Sequence, residues 1–203
     1  MLGRKTIYLG AKTTVKILLT NDDGILAPGI IALHKSLQGL GELVVIAPKT
    51  VQSAMSHGIT YTTPLMTEYV EITPDMSGIS VDGRPADCVK VAMRAIWEER
   101  YGEGSKPDLT ISGMNSGANV GINIIYSGTV AAAIESAFLG VPAIAVSLYL
   151  ADRKNICYNR AAEIARHTID RVLENNVLPN EVVNINIPVC ESDDMAMPTI
   201  KVV

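Results

Sequence analysis

Short apolar runs and amphipathic stretches alternate along most of the chain. Residues 15–20 form a run rich in branched side chains, which is typical of a strand buried on both faces of a sheet. Residues 30–40 repeat apolar side chains at three- and four-residue spacing, which predicts a helix that Pro28 and Gly29 open. Residues 42–48 form a second apolar run. A strand, a helix and a strand within about 30 residues predict a βαβ unit.

The rest of the chain continues this alternation, with one exception. In residues 59–81, Thr, Tyr and Val alternate with polar residues and prolines, which predicts hairpins or edge strands. Elsewhere the periodicity predicts helices at residues 84–100, 128–140 and 158–174, and strands at residues 107–112, 142–148 and 181–188. We therefore expect an α/β fold: a three-layer α/β/α, Rossmann-like arrangement with a mostly parallel sheet and a β-hairpin excursion.

Composition narrows the class of partner. The chain has a net charge of −4, a pI near 5.4 and no cluster of basic residues, which argues against nucleic-acid binding as its main role. The most apolar stretch, residues 131–151, contains Glu135 and is broken by Gly140 and Pro142, so it cannot form one membrane-spanning helix. We expect neither a nucleic-acid partner nor a membrane partner.

The length and the cysteines indicate one domain in a reducing compartment. The 203 residues fit a single domain, which we assign to residues 15–203, after a short leader at residues 1–14. The leader is basic but has no apolar segment of the length that a secretory signal needs. The cysteines are odd in number and not closely paired, which fits a cytoplasmic protein better than a disulfide framework.

Two adjacent carboxylates, Asp22 and Asp23, directly follow the first predicted strand. Neighbouring carboxylates repel each other, so one of them must take up a proton or find a cation. A bound divalent metal ion would remove the conflict. The alternative is that one of the two aspartates caps the following helix, which is a frequent use of Asp.

The loop after the second predicted strand has hydroxyl residues and glycine but little charge. Ser53 could supply a neutral oxygen to an ion, although serines in loops are mostly solvated. His57 could donate a proton to a leaving group or contact a phosphoryl oxygen. The alternative for His57 is a structural bond to a backbone carbonyl. His34 and His167 lie on predicted helices, and we expect them to be structural or exposed.

A third loop, rich in Gly, Asn and Ser, places Asn115 and Asn119 among three glycines. Glycine lets backbone amides approach an anion closely, and the Asn side chain offers a carbonyl oxygen to a hard cation. Ser127, Gly128 and Thr129 then begin a predicted helix, whose free amides and dipole favour a phosphate. Ser127 or Thr129 could also be the N-cap of this helix, and the two roles are compatible.

All three loops follow strands of the predicted parallel sheet, so they lie at the same edge of it. Ligands of such sheets bind at the carboxyl ends of the strands. We therefore expect residues that are far apart in the sequence to converge around one ligand.

With these motifs the chain resembles the SurE family, the stationary-phase survival proteins. The family consists of metal-dependent phosphatases that act on nucleoside monophosphates. The resemblance implies hydrolysis of nucleoside 5′-monophosphates, and of 3′-monophosphates as further substrates, to nucleoside and phosphate. It rests on segments that occur in the family's order over most of residues 16–188, namely ILLTNDDGILAPGI, VVIAPKTVQSAMSHGIT, VDGRPADCVKVA, PDLTISGMNSGANVG, IYSGTVAAAIESAFLGVPAIAVSL and VNINIP.

The resemblance also implies a metal site. The family's ligands match Asp22, Asp23, Ser53 and Asn115, and each position holds the expected type of residue. This all-oxygen set suits one Mg²⁺ or Mn²⁺ ion per subunit and does not suit zinc.

A phosphate pocket is implied in the same way. Asn119 and the segment Ser127, Gly128 and Thr129 match residues that line the family's pocket, and His57 is a further candidate. The resemblance implies that Asp22 or Asp23 orients the attacking water or takes its proton. The candidate catalytic residues are therefore Asp22, Asp23, Asn119, Ser127 and Thr129.

Family members usually continue past the point where this chain ends. Their carboxyl-terminal hairpin and helix embrace a neighbouring subunit, and the chain lacks that extension. We expect a homodimer, because the missing extension argues against the family's tetramer.

Two alternatives remain open. The chain could be a nucleotide-binding module of the same family without activity. It could also be a receiver-type signalling domain, which holds Mg²⁺ with an acidic pair after its first strand. The receiver alternative is weaker, because no Lys ends the strand at residues 142–148 and no Asp stands in the required place after residues 42–48.

Overall fold

One sheet organises the part of the chain that the computed structural model describes, residues 14–152, 155–175 and 177–203. Except for Thr14, the leader expected at residues 1–14 lies outside the described residues. The strands are β1 (Lys16–Thr20), β2 (Glu42–Pro48), β3 (Thr67–Thr73), β4 (Met76–Val81), β5 (Leu109–Ser116), β6 (Ala143–Leu148) and β7 (Val182–Ile187).

The spatial order of the strands is β3-β4-β2-β1-β5-β6-β7. Every neighbouring pair is parallel except the β3–β4 hairpin, which forms one edge of the sheet. The predicted mostly parallel sheet with a hairpin excursion is therefore confirmed.

Helices cover both faces of this sheet. The helices are α1 (Pro28–Ser36), α2 (Pro85–Val91), α3 (Trp97–Tyr101), α4 (Gly128–Phe138) and α5 (Tyr158–Leu173). Helices α1 and α5 share one apolar core with the sheet, whereas α2 and α4 pack on the opposite face. Strand β1 shows the division, because Ile17 and Leu19 lie in the first core and Leu18 in the second.

Two elements depart from the sequence prediction. The helix predicted at residues 84–100 is interrupted, since α2 leads into the π-helical turn Ala92–Ile96 before α3 begins. The strand predicted to end at residue 112 continues as β5 to Ser116, so Asn115 lies on the strand. The register between β5 and β6 shifts between Ser112 and Asn115, beyond which Asn115 pairs with Ser147.

The order of the strands reverses at β1, which lies between β2 and β5. The loop after β1 and the loop after β5 therefore leave the sheet side by side while their connections run in opposite directions. In open α/β sheets, this switch point leaves a crevice at the carboxyl ends of the strands, where ligands bind.

The first turn of α1 approaches β5 closely at Gly29. A β-carbon built at this position would lie 2.1 Å from the carbonyl oxygen of Met114, far inside van der Waals contact. The absence of a side chain at Gly29 therefore lets α1 pack against the end of β5 that carries Asn115.

We expect Gly29→Ala to destabilise the protein, because the added methyl group must push α1 away from β5. Overpacking of this kind typically costs about 1–3 kcal/mol, which lowers the unfolding midpoint by several degrees. Thermal unfolding followed by circular dichroism measures the effect. Lys35→Ala, at an exposed position of the same helix, is the control. Equal midpoints for the two variants would contradict the close approach.

Candidate functional site

Hydrogen bonds join the three loops at the carboxyl edge of the sheet. The backbone amide of Gln52, after β2, donates to the carbonyl oxygen of Asp22 at 2.8 Å. The backbone amide of Ser116, at the end of β5, donates to Oδ2 of Asp23 at 3.0 Å. Oγ1 of Thr129, in the first turn of α4, donates to Oδ1 of Asp22 at 2.5 Å. The aspartate pair therefore contacts both other loops and the amino end of α4.

Asp22 is a buried carboxyl group, with only 4% of its surface exposed. Burial raises the pKa of Asp22 to about 6; the hydrogen bond from Thr129 opposes this change, and the charge of Asp23 adds to it. Within the described ranges, neither aspartate forms an ion pair with a lysine or arginine. A cation bound beside both carboxylates would offset the cost of ionising Asp22.

The capping alternative for the aspartates is wrong. The N-cap of α1 is Ala27, and no side chain forms a cap hydrogen bond there. Asp22 and Asp23 instead direct their carboxylates to Thr129 and to the amide of Ser116.

Ser53 directly follows Gln52, whose backbone amide bonds to Asp22. Asn115 directly precedes Ser116, whose backbone amide bonds to Asp23. Nδ2 of Asn115 donates to the carbonyl oxygen of Gly117 at 2.6 Å, so the amide nitrogen is engaged and Oδ1 is the atom left to face a cation. Ser53 is exposed. Two carboxylates, a hydroxyl and an amide oxygen form the donor set that hard divalent cations prefer.

This mixed set fits a metal ion although it is not an acidic or histidine cluster. No group of three or more His, Cys, Asp or Glu side chains in the described part of the chain could hold a metal ion. A cation at the aspartate pair would therefore need the neutral oxygens as well. The absence of thiolate and imidazole donors favours Mg²⁺ or Mn²⁺ over zinc.

The amino end of α4 lies against Asp22. Ser127 is the N-cap, and its Oγ accepts a hydrogen bond from the backbone amide of Val130 at 3.1 Å, as the capping alternative predicts. A β-carbon at Gly128 would lie 2.8 Å from Cβ of Asp22. The absence of a side chain at Gly128 therefore permits the close approach of α4 to Asp22. Free amides and the helix dipole make such an end favourable for phosphate.

His57 does not join the residues at the amino end of α4. Its Nε2 lies 2.8 Å from Oε2 of Glu135 in the middle of that helix, and its ring stacks on Phe138 with centroids 5.9 Å apart. The structure thus gives His57 a carboxylate partner, where the sequence offered a phosphoryl oxygen or a backbone carbonyl. The sequence contains no local signal for this pair, because the two residues come from different elements.

Asn119 is held by side chains that the sequence reasoning missed. Its backbone and side-chain amide groups bond to Ser147 on β6 and to Asn184 and Asn186 on β7. The signal was present in the segment VNINIP, where two asparagines alternate with apolar residues in a predicted buried strand. Polar side chains at such positions need partners, and here the partner is the third loop.

Asp87 is a second missed residue, and it fastens the second loop at its far end. Its buried carboxylate accepts hydrogen bonds from the backbone amide of Thr60, at 3.0 Å to each oxygen, and from that of Arg84 at 2.9 Å. Asp at the third position of a helix is a known capping signal, and the segment RPAD displays it.

The described residues include no helix that is long and apolar enough to cross a membrane.

Comparison with known proteins gives consistent matches. The family model described as Survival protein SurE matches residues 17–202. A protein named 5′-nucleotidase SurE from Carboxydothermus hydrogenoformans is 46% identical over 177 residues, which cover 86% of this chain and 65% of that protein. The protein of the same name from Rhodopirellula baltica is 42% identical over 179 residues, covering 88% and 68%. The chain spans about two thirds of the length of these curated relatives.

A solved structure shares the fold. The crystal structure of SurE protein from Aquifex aeolicus superposes with a TM-score of 0.73 at 41% identity, covering 87% of this chain and 67% of that one. The match of the family model to nearly all described residues excludes the receiver-domain alternative. The chain belongs to the SurE family.

Proposed function

We propose that this protein is a divalent-metal-dependent phosphatase that hydrolyses nucleoside 5′-monophosphates, with 3′-monophosphates as further substrates, to nucleoside and phosphate. The observation that carries the proposal is the bond between Thr129 and the buried Asp22, which brings the amino end of α4 against the aspartate pair. A cation site and an anion site are adjacent there. The name 5′-nucleotidase SurE, which curated relatives carry, supports a nucleotide as the phosphate ester.

Four oxygen-bearing side chains are the proposed metal ligands. Asp22, Asp23, Ser53 and Asn115 would hold one Mg²⁺ or Mn²⁺ ion per subunit. When bound, the ion would neutralise charge on the phosphoryl oxygens and lower the pKa of a water molecule.

The remaining residues would hold the substrate and move the proton. The amides and hydroxyls of Ser127, Gly128 and Thr129 would bind the phosphate at the amino end of α4. Asn119 would line the same pocket from the third loop. Asp22 or Asp23 would orient the attacking water and take its proton.

We further propose that the protein is a cytoplasmic homodimer. The free cysteines fit a reducing compartment. Ile122, Ile125 and Tyr126 on the 3₁₀ helix Gly121–Tyr126, together with Phe138 at the end of α4, are large exposed apolar side chains of the kind that subunit contacts cover.

Metal dependence is the first prediction. Phosphate release from AMP and GMP should require Mn²⁺ or Mg²⁺, and excess EDTA should lower the rate by about 100-fold or more, since the carboxylates then repel the phosphate. Restoring Mn²⁺ should restore the rate, and an unchanged circular dichroism spectrum in EDTA serves as the control. Undiminished release in EDTA would contradict the metal site. AMP binding without any release in Mn²⁺ would establish the inactive-module alternative.

The aspartates are tested individually. Asp22→Asn and Asp23→Asn should each lower kcat by about 100-fold or more, because each removes a charged ligand while keeping the shape of the side chain. The exposed Asp75→Asn, in the β3–β4 turn, is the matched control and should keep full activity. Wild-type activity in either site variant would exclude that residue as a ligand.

The proposed dimer predicts a mass. Multi-angle light scattering behind size exclusion should give about twice the 21.7 kDa of one chain. Replacing Ile125 and Phe138 together by Ser should shift the protein toward the monomer, because the change removes apolar area from the contact. A wild-type protein of 21.7 kDa at micromolar concentration would refute the dimer.

A further inference from the structure

Three polar side chains on β6 and β7 hold the loop that carries Asn119. The backbone amide of Asn119 donates to Oδ1 of Asn186 at 2.8 Å. Its carbonyl oxygen accepts from Nδ2 of Asn184 at 2.8 Å and from Nδ2 of Asn186 at 3.1 Å. The side chains of Asn119 and Ser147 bond at 2.8 Å. Both backbone groups and the side chain of one loop residue are thus engaged by two strands.

The sheet register places this cluster in one row with a proposed metal ligand. Ser147 pairs with Asn115 on β5 and with Asn186 on β7, so the three residues stand side by side across neighbouring strands. Asn184 precedes Asn186 by two positions and therefore projects from the same face of β7. Ser147 is fully buried at 0% exposure, and Asn119 is 6% exposed. The bond between Ser147 and Asn119 is therefore shielded from solvent, whereas Asn115, Asn184 and Asn186 are half-buried.

The loop between Ser116 and Asn119 is consequently anchored at both ends. At one end, the amide of Ser116 bonds to Asp23. At the other end, Asn119 bonds to β6 and β7 through Ser147, Asn184 and Asn186. Gly117 lies between these anchors with a φ of 153°. Anchoring offsets the conformational freedom that glycine would otherwise give to the loop.

We propose that Ser147, Asn184 and Asn186 are positioning residues, which fix Asn119 and its loop at a set distance from the metal ligands. This inference rests on the proposed function, because it assigns the cluster to the phosphate-binding side of that site. A misplacement of about 1 Å in a positioned group can cost about 100-fold in rate. Four hydrogen bonds, one of them buried and three partly buried, fix the position of Asn119. In this proposal the three residues act through Asn119 and not through a contact with the substrate.

A double-mutant cycle tests the inference. The variants are Ser147→Ala, Asn119→Ala and their combination. Ser136→Ala is the matched control. Ser136 is equally buried on the part of α4 remote from Ser127, and its hydroxyl bonds to Thr110 and to the carbonyl oxygen of Val141. Each variant is measured for kcat and KM with AMP at saturating Mn²⁺, for Mn²⁺ and AMP affinity by calorimetry, and for the thermal midpoint.

Ser147→Ala should lower kcat/KM by about tenfold while the Mn²⁺ affinity stays within about twofold of wild type. Its thermal midpoint should fall no further than that of Ser136→Ala, whose kcat/KM should equal that of wild type. The double variant should be no slower than Asn119→Ala alone, because Ser147 acts through Asn119. A purely structural role would lower the midpoint and leave kcat/KM per folded molecule unchanged.

Two results would overturn the inference. One is full kcat/KM in Ser147→Ala, and the other is a double variant whose loss is the product of the two single losses. If the wild-type protein releases no phosphate in Mn²⁺, the proposed function fails. The AMP affinities of the same variants then decide whether Ser147 positions Asn119. An AMP affinity of Ser147→Ala equal to that of wild type would refute this positioning role.

Discussion

The buried carboxylate of Asp22 is the group on which the site depends. Its Oδ1 accepts the hydroxyl of Thr129 on α4, and its backbone carbonyl accepts the amide of Gln52 in the second loop. Burial raises its pKa to about 6, so the fold by itself disfavours the charge that the residue carries above that pH. The burial that accompanies this contact makes the charge costly, and the hydrogen bond from Thr129 offsets only part of that cost. In the proposed function, a metal ion beside Asp22 and Asp23 would offset the rest of that cost.

The contact between Thr129 and Asp22 explains why α4 begins with small residues. Gly128 has no side chain, and a β-carbon there would collide with Asp22 and approach Cγ of Pro85 to 3.0 Å. Ser127 caps α4 with its own hydroxyl, which leaves the other amides of the first turn to a ligand. The proposed cation site and the proposed phosphate site can therefore share one wall. A larger residue at position 128 would separate them.

Sequence periodicity predicts the sheet and most helices because buried strands and amphipathic helices impose different spacings on apolar residues. Parallel topology then predicts that Asp22, Asp23 and the later loops meet at one edge. The end of β5 escapes this reasoning, since Asn115 and Ser116 are polar and join the strand only through pairing with β6. The bond between His57 and Glu135 escapes it too, because the residues are 78 positions apart and no periodicity links them. Long-range polar contacts are decided by packing, which a local pattern does not encode.

Hydrogen bonds hold the part of the second loop that carries the exposed Ser53, a proposed metal ligand. Gln52, directly before Ser53, bonds to Asp22, and the amide of Ser56 bonds to the carbonyl oxygen of Tyr126 at 3.0 Å. Ala54 and Ser56 adopt φ values of 57° and 53°, which cost free energy for residues other than glycine. Such conformations persist only where the surroundings fix them, and here flanking hydrogen bonds do so on both sides. The two residues with positive φ follow Ser53 closely, and the bond of His57 to Glu135 on α4 holds the same loop beyond them.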